Sequence, residues 1–246
     1  MQNQQWITEK PLNSSMFFKC FILMFLVYKM KYDRILKIAH RGYIQNLPNN
    51  SIPAFRAAIK EGFDMIEMDL QLCGSDEIII HHDRHIGGFP VETLRYEQIK
   101  LRNPNVITLD KFFHEFPNYK NLKLYLDLKG KEQLARKLRN YISDNNINTS
   151  NIYIGSFNIN HLQQLKDTRA KLGFITCSKY TVSQYCDILR KLEFLSVDKS
   201  ILDNDVVNIC KGLRKKLFVF TCKDRLDESY IKMFDVDGIV SNIKLD

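Results

Sequence analysis

Residues 37–42 (KIAHRG), 64–70 (DMIEMDL) and 77–83 (EIIIHHD) decide the fold expected for this chain. The first is an apolar run that ends in a His-Arg pair and a glycine, and the last is a β-branched run that ends in histidine. In the middle run apolar and acidic residues alternate, so on a strand Glu67 and Asp69 point to one face. Successive apolar strands that each end in ionisable groups are typical of a parallel barrel, in which the strand ends and the loops after them carry the chemistry.

From residue 35 onward, short apolar strands alternate with helical segments. We predict strands at 35–40, 65–70, 78–82, 122–128, 152–156, 174–177, 194–197, 217–222 and 238–241. Helices are predicted at 51–61, 109–116, 131–145, 159–171, 181–191, 203–211 and 228–234, with a shorter stretch near 91–100. This alternation predicts an α/β protein, a single (β/α)8 TIM barrel with an N-terminal extension. An open doubly wound sheet is the alternative, but its usual nucleotide-binding fingerprints are missing from the sequence.

Length and charge narrow the functional classes. The chain has 246 residues, of which 45% are hydrophobic and 26% charged, as in an ordinary globular protein. Its formal net charge is +8, but the basic residues are scattered along the sequence. The charge therefore favours attraction to an anionic phosphate substrate or to a lipid surface, and no nucleic-acid partner is expected.

The cysteines indicate a reducing environment. They are widely spaced, form no C-x-x-C pair and lie mostly inside apolar runs, at Cys20, Cys73, Cys177, Cys186, Cys210 and Cys222. We expect free, buried thiols and no structural zinc site, which favours an intracellular location.

Residues 1–29 differ from the rest of the chain and are expected to form an extension outside a barrel domain at 30–246. Their apolar segment, 16–28, is interrupted by Lys19 and is shorter than the ~20 residues needed to cross a bilayer. Two interpretations stay open. The segment is either an extra helix packed on the barrel, or a contact with a membrane surface, including a signal anchor.

Three carboxylates form a candidate metal site. Glu67 and Asp69 share one strand face, and Asp127 occupies a similar alternating run near the end of a later strand. Carboxylates brought together in a barrel mouth repel each other unless a cation neutralises them. An all-oxygen ligand set suits one divalent cation, Mg²⁺ or Ca²⁺. The alternative is that these carboxylates form structural ion pairs with Arg41, Lys129 and other cations.

Two histidines are candidates for proton transfer. His40 and His82 each end an apolar strand, and an imidazole titrates near neutral pH. Cleavage of a phosphodiester needs one proton removed from the nucleophile and another given to the leaving oxygen. Taken alone, a single histidine at a strand end is more often a hydrogen-bonded structural residue. A transition-metal cluster of His81, His82 and His85 is a weaker alternative, since adjacent strand residues face opposite sides.

Arg41 and Lys129 complete the set as positive charges beside the proposed metal and acid-base groups. A guanidinium and an ammonium are suited to the non-bridging oxygens of a phosphate and to the charge that builds on them in the transition state. Together the residues indicate a phosphate site.

The ordered motifs resemble the signature of the glycerophosphodiester phosphodiesterase family. They are His-Arg-Gly at 40–42, Pro-Asn-Asn-Ser at 48–51, the acidic run at 62–69, His-Asp at 82–83, Asp-Leu-Lys at 127–129, Ser-Phe at 156–157, Phe-Thr at 220–221 and the closing run at 236–241. The similarity covers about 35–243 and leaves out the N-terminal extension.

The resemblance implies a (β/α)8 barrel that hydrolyses glycerophosphodiesters to glycerol 3-phosphate and an alcohol with one divalent cation. It also implies roles for the candidate residues: an acid-base pair, metal ligands and phosphate contacts. These are, in that order, His40 and His82; Glu67, Asp69 and Asp127; Arg41 and Lys129. In the family, the substrate's own neighbouring hydroxyl is thought to attack phosphorus, and water then opens the cyclic phosphate.

The chain departs from the family pattern at several positions. Asn49 stands where the family usually has glutamate, which removes a negative charge near the expected metal site. The third ligand is Asp127 in place of the commoner glutamate. Phe220 replaces a usual tryptophan, and the final Thr-Asp-x-Pro is Ser-Asn-Ile-Lys at 241–244. These changes leave the chemistry intact and put the substrate preference in question.

The residues and motifs support three functions. The first is a metal-dependent phosphodiesterase acting on small glycerophosphodiesters. The second is a phospholipase D-like activity on lysophospholipids or sphingolipids, which membrane contact through 16–28 and a basic surface would assist. The third is a non-catalytic barrel that binds phosphate or lipid, and Asn49 is the site change that favours it.

Overall fold

The computed structural model describes residues 35–246, so the predicted extension 1–29 and its segment 16–28 lie outside the described residues. Twelve strands occur in this part of the chain. In order they are β1 (Leu36–Ala39), β2 (Met65–Leu72), β3 (Ile78–Ile80), β4 (His85–Ile86), β5 (Phe89–Pro90), β6 (Ile107–Thr108), β7 (Lys123–Leu128), β8 (Ile152–Ser156), β9 (Lys171–Thr176), β10 (Phe194–Asp198), β11 (Lys216–Cys222) and β12 (Gly238–Ser241).

Eight α-helices lie among the same described residues. They are α1 (Ile52–Lys60), α2 (Tyr96–Arg102), α3 (Leu109–Glu115), α4 (Gln133–Asp144), α5 (Ile159–Leu165), α6 (Val182–Leu189), α7 (Asn204–Gly212) and α8 (Arg225–Lys232). None of the helices in residues 35–246 combines the length and the apolar character that a membrane span requires.

Eight parallel strands close into a ring. The hydrogen-bonded order is β1-β12-β11-β10-β9-β8-β7-β2, and β2 pairs with β1 to complete the circle. Every strand of a parallel ring ends at the same face, so the loops after the strands gather at one mouth. The predicted (β/α)8 barrel is confirmed.

The expected strand at 78–82 does not belong to this ring. β3 runs antiparallel to the end of β2, with Leu70 opposite Ile80 and Leu72 opposite Ile78, and its other neighbour is β6. The prediction of a third parallel strand was therefore wrong in direction. Strand β2 continues past the barrel mouth, and β3 returns along it, so the histidines after β3 arrive at the mouth from outside.

The barrel interior is filled by large side chains that face glycines. Tyr125, Phe194 and Phe218 belong to one buried cluster, in which the Phe194 and Phe218 ring centroids are 5.0 Å apart. A methyl group added at Gly173 would come within 2.3 Å of the Phe194 ring, and one at Gly155 within 2.7 Å of the Tyr125 ring. The glycines supply the volume that the aromatic rings occupy.

Local signals explain several helix boundaries, and two boundaries were missed. The helix expected at 228–234 begins three residues earlier, at Arg225, directly after its cap Asp224. Ser51 caps α1 by accepting a hydrogen bond from the Ala54 amide, as its position predicts. The helix expected at 159–171 ends earlier, at Leu165. A 3-10 turn comes after it, and Arg169 with φ of +59° ends the helical run, so β9 begins three residues before the predicted strand.

The described cysteines are all free, but they are not uniformly buried. Cys73, Cys210 and Cys222 are buried, whereas Cys186 is half-buried and Cys177 is exposed. The expectation of buried thiols was wrong for Cys177, which comes directly after the last residue of β9 and so belongs to the mouth rather than to the core.

The barrel interior has no space for an additional methyl group at Gly173. Gly173→Ala is expected to lower the free energy of unfolding by about 1–3 kcal/mol, because the new methyl group meets the fully buried Phe194 ring. Denaturant titration of the full chain measures this change.

Gly212→Ala is the matched control. Gly212 ends α7, and a methyl group there meets no atom within 4 Å, so stability should be equal to or slightly above that of the parent chain. Equal stability of both variants would show that the interior has room for the methyl group and would contradict the packing argument.

Candidate active site

One open pocket at the mouth of the barrel brings together every residue predicted for the site. They are His40, Arg41, Glu67, Asp69, His82, Asp127 and Lys129. The pocket also contains residues from β8 to β12 and their loops, including Phe157, Ser196, Asp198, Phe220 and Lys223. The residues of the site thus come from opposite sides of the ring.

The three carboxylates converge because β2 and β7 are neighbours in register. Asp69 lies opposite Asp127, while Glu67 lies two residues earlier on the same face of β2. One oxygen from each carboxylate lies within 4.8 Å of the others. Glu67, Asp69 and Asp127 are only 3%, 1% and 7% exposed, so this negative charge is held away from bulk water.

Burial and mutual repulsion change how these groups titrate. Burial, together with the charges of Asp69 and Asp127, raises the pKa of Glu67 well above its usual range. Burial also raises the pKa of Asp127 to about 6, although Lys129 opposes that rise. For Asp69, burial is outweighed by the attraction of Lys129 and Arg41, so its pKa lies below the usual value.

Two cations reach into the carboxylate cluster. The ammonium of Lys129 contacts Asp127 and lies 3.2 Å from Asp69 Oδ1. The Nε atom of Arg41 lies 3.1 Å from Asp69 Oδ2, and the Arg41 backbone N–H donates to Glu67 Oε2 at 2.7 Å. Burial lowers the pKa of Lys129, but Asp127 and Asp69 more than offset this, so the ammonium stays protonated.

Asn50, rather than Asn49, contacts the cluster directly. The Asn50 side-chain amide donates to Asp69 Oδ2 at 2.8 Å, and its carbonyl oxygen accepts from the Asp69 backbone N–H at 3.2 Å. Asn49 is exposed and lines a smaller polar hollow beside the mouth, together with His81 and Asp83. The family departure at Asn49 therefore changes the surroundings of the site and not the hydrogen bonds of Asp69.

His40 is oriented by the residue after the last strand. Its Nδ1 atom lies 2.6 Å from Asn242 Oδ1, and since a carbonyl oxygen can only accept, Nδ1 carries the proton. The Nε2 atom is then the basic nitrogen. Burial and the neighbouring charge of Arg41 lower the pKa of His40 to about 4, so the ring is neutral at physiological pH.

His82 has a different partner and a different environment. Its Nδ1 atom lies 2.8 Å from the carboxylate of Asp83, and its side chain is 40% exposed. The turn that carries it is fixed by Gln71 on β2, whose buried amide donates to the carbonyl oxygens of His81 and Asp83 at 3.0 and 2.7 Å. The two histidines therefore share one pocket but differ in burial and in the charge of their partner.

The carboxylate cluster has the composition of a divalent cation site. Its two neighbouring cations leave one of three negative charges uncompensated, and Asp127 Oδ1 is buried without a hydrogen-bond donor among the described residues. Oxygen ligands held close together in this way suit Mg²⁺ or Ca²⁺. In residues 35–246 this is the one group of three or more potential ligands that lie close together, so the alternative of a His81, His82 and His85 cluster has no support.

Three residues of the site were not assigned from the sequence: Asn50, Gln71 and Asn242. Signals for two of them were available. Gln71 continues the alternation of Glu67 and Asp69 on the same strand face, and Asn50 directly precedes the helix cap at Ser51. The contact of Asn242 with His40 joins residues 202 positions apart and arises only from closure of the ring.

Comparison with known proteins agrees with this geometry. A sequence model of the glycerophosphoryl diester phosphodiesterase family matches residues 40–243. A glycerophosphodiester phosphodiesterase from Caldanaerobacter subterraneus is 24% identical over 85% of this chain and 94% of its own. Glycerophosphodiester phosphodiesterase 1 of Mus musculus is 23% identical over 84% of this chain and 70% of its own.

Solved structures share the fold. A glycerophosphodiester phosphodiesterase from Parabacteroides distasonis superposes with a TM-score of 0.75 at 20% identity, covering 85% of this chain and 93% of that one. A phosphodiesterase from Oleispira antarctica, solved with its product sn-glycerol 3-phosphate, has a TM-score of 0.71 at 20% identity and covers 86% and 95%.

The family match begins at His40 and extends past Asn242, so it includes both ends of the contact that closes the site as well as all seven candidate residues. The chain belongs to the glycerophosphoryl diester phosphodiesterase family.

Proposed function

We propose that this protein is a metal-dependent phosphodiesterase that hydrolyses glycerophosphodiesters to glycerol 3-phosphate and an alcohol. The observation that carries the proposal is the convergence of three buried carboxylates, two cations and two differently partnered histidines in one pocket. The names of the relatives and the product bound to the Oleispira antarctica structure support the same substrate class.

Glu67, Asp69 and Asp127 would hold the cation, Mg²⁺ or Ca²⁺. When bound, the cation supplies positive charge that favours ionisation of the substrate hydroxyl next to the phosphate. Asn50 keeps Asp69 in place through both of its amide atoms. The backbone N–H of Arg41 does the same for Glu67.

His40 acts as the general base in this proposal. His40 lines the pocket, and since Nδ1 is held by Asn242, Nε2 is the nitrogen that is available to accept a proton. The low pKa of His40 keeps the ring unprotonated. It takes the proton of the attacking hydroxyl, whose oxygen forms the new bond to phosphorus.

His82 acts as the general acid. The carboxylate of Asp83 orients the ring through Nδ1 at 2.8 Å, and the side chain is 40% exposed at the mouth, where the alcohol departs. As the bond from phosphorus to the leaving oxygen breaks, His82 gives that oxygen a proton. Lys129 and Arg41 bind the non-bridging oxygens during this step, and water then opens the cyclic phosphate.

A non-catalytic binding barrel is the weaker alternative. This alternative is based on the asparagine at position 49, where the family usually has glutamate. The Asn49 side chain is exposed and forms no hydrogen bond with Glu67, Asp69 or Asp127. The phospholipase D-like alternative requires the same chemistry and differs in where the substrate comes from.

Release of glycerol 3-phosphate from glycerophosphocholine by the full chain tests the activity. Release should require Mg²⁺ or Ca²⁺ and stop with a chelator, and Glu67→Gln should lower turnover by at least ~10²-fold while weakening cation binding in calorimetry. Glu97→Gln, which removes an exposed carboxylate on α2, is the control and should leave both measurements unchanged. Turnover at the parent rate with chelator present would refute the metal-dependent mechanism.

Removal of either imidazole tests the proton transfers. His40→Ala and His82→Ala should each reduce kcat by at least ~10²-fold, since each step loses its proton acceptor or donor. His114→Ala, at an exposed position on α3, serves as the control. Near-normal kcat in either site variant would remove that histidine from the mechanism.

The residue that hydrogen-bonds His40 Nδ1 influences the pKa of His40 and therefore the pH dependence of kcat/KM. The base is active when neutral, so kcat/KM falls as pH drops through its pKa. Asn242→Asp places a carboxylate against Nδ1, which favours the charged ring and should shift the acid limb of the kcat/KM profile upward by about one pH unit or more.

Asn242→Ala is the companion variant for this test. It removes the hydrogen bond without adding charge, so kcat should fall while the acid limb stays below that of Asn242→Asp. Identical acid limbs in the parent chain and Asn242→Asp would show that another group titrates there.

A further inference from the structure

Exposed apolar side chains surround the mouth of the barrel. Phe157 comes directly after β8, Val182 begins the helix after β9, and Leu226 lies in the first turn of the helix after β11. Phe89 lies in the β4–β5 hairpin, which comes after the turn that carries His82. These four side chains, here called the apolar rim, are between 47% and 81% exposed.

The rim belongs to the catalytic face because of the barrel topology. Loops after parallel strands, and the first turns of the helices after them, all lie at one end of the ring. Of eight large hydrophobic residues exposed among residues 35–246, four form the rim. The other four, Ile59, Leu101, Tyr230 and Met233, lie in or just after the last turns of α1, α2 and α8. Single exposed apolar residues are ordinary, but a group around one opening marks an interaction surface.

Cations stand between the rim residues. Arg84 and Lys223 are exposed at the mouth, and their side chains form no ion pair with any residue in the described range. The guanidinium of Arg102 lies 4.9 Å from the centre of the Phe89 ring, and the Lys129 ammonium lies 5.4 Å from that of Phe157. Exposed apolar side chains with the cations Arg84 and Lys223 among them match the anionic headgroup layer of a lipid bilayer.

The rim is continuous with the reaction centre. Phe157 is part of the pocket wall, and its ring packs edge to face against Phe220 at 6.1 Å, deeper in the pocket. Phe157 also lies beside the Lys129 ammonium, which contacts Asp127. An apolar path therefore leads from the phosphate site to the exposed edge of the mouth.

We propose that the mouth of the barrel is a membrane-contact surface, which rests its rim on an anionic phospholipid bilayer with the active site facing the lipid. The surface itself is independent of the proposed function. Its consequence, that the enzyme takes a phosphodiester with an attached acyl chain from the bilayer, rests on that function.

Co-sedimentation of the full chain with vesicles tests the surface. Binding is expected to vesicles of phosphatidylcholine mixed with phosphatidylglycerol, to weaken with added salt, and to be weaker on pure phosphatidylcholine. The double variant Val182→Ser with Leu226→Ser should lower the partition coefficient at least ~10-fold, because two side chains lose their transfer into the interface. Lys223→Gln should weaken binding to the anionic vesicles alone.

Ile59→Ser with Met233→Ser is the matched control on the opposite face and should bind like the parent chain. Equal thermal unfolding temperatures would establish that all variants are folded. No binding of the parent chain, or binding that survives replacement of Val182 and Leu226, overturns the proposal; the latter result would assign membrane contact to another part of the chain.

Two activity measurements separate this inference from the proposed function. The double variant Val182→Ser with Leu226→Ser should turn over dissolved glycerophosphocholine at the parent rate and lose at least ~10-fold in rate on a lysophospholipid embedded in anionic vesicles. Inactivity of every protein on both substrates would refute the phosphodiesterase proposal, while the vesicle-binding result would still decide the membrane surface.

Discussion

Three buried carboxylates lie together at the barrel mouth, and their negative charges have to be balanced by the rest of the site. Lys129 and Arg41 contribute one positive charge each, and Asn50 adds two hydrogen bonds to Asp69. Burial, together with the charges of Asp69 and Asp127, raises the pKa of Glu67, and one negative charge of the cluster is left for a divalent cation to neutralise. The same two cations are the groups available to a phosphate, so neutralising the cluster and binding the substrate depend on the same side chains.

The two histidines differ in ways that suit opposite proton transfers. The buried His40 ring is hydrogen-bonded to a neutral amide, whereas the half-exposed His82 ring is hydrogen-bonded to a carboxylate. His40 comes from the first strand and Asn242 from just after the last, so the base is complete only when the ring is closed. In the proposed mechanism, proton removal by His40 therefore depends on closure of the entire barrel.

Period-two alternation and strand-end chemistry, together with the family resemblance, predicted the barrel and the seven candidate residues that the pocket brings together. Glu67 and Asp69 could be paired because side chains on a strand alternate, whatever the fold around them. Contacts between segments that are distant in the sequence could not be predicted. An apolar strand that joins the ring has the same local pattern as one that returns antiparallel, so β3 was assigned the wrong direction. The partnership of Asn242 with His40 depends on ring closure for the same reason.

The antiparallel return of β3 restricts where the chain tolerates changes in length. His81 and His82 occupy successive positions, and Gln71 holds the backbone on both sides of His82. One residue added or removed in the turn at 73–77 would slide β3 along β2 and present the other imidazole to the pocket. The length of the segments after Asp83 is not restricted in this way, because they follow His82 in the chain. A change in the length of the β4–β5 hairpin or of α2 would therefore leave His82 in place, whereas a change in the length of the turn at 73–77 would move it.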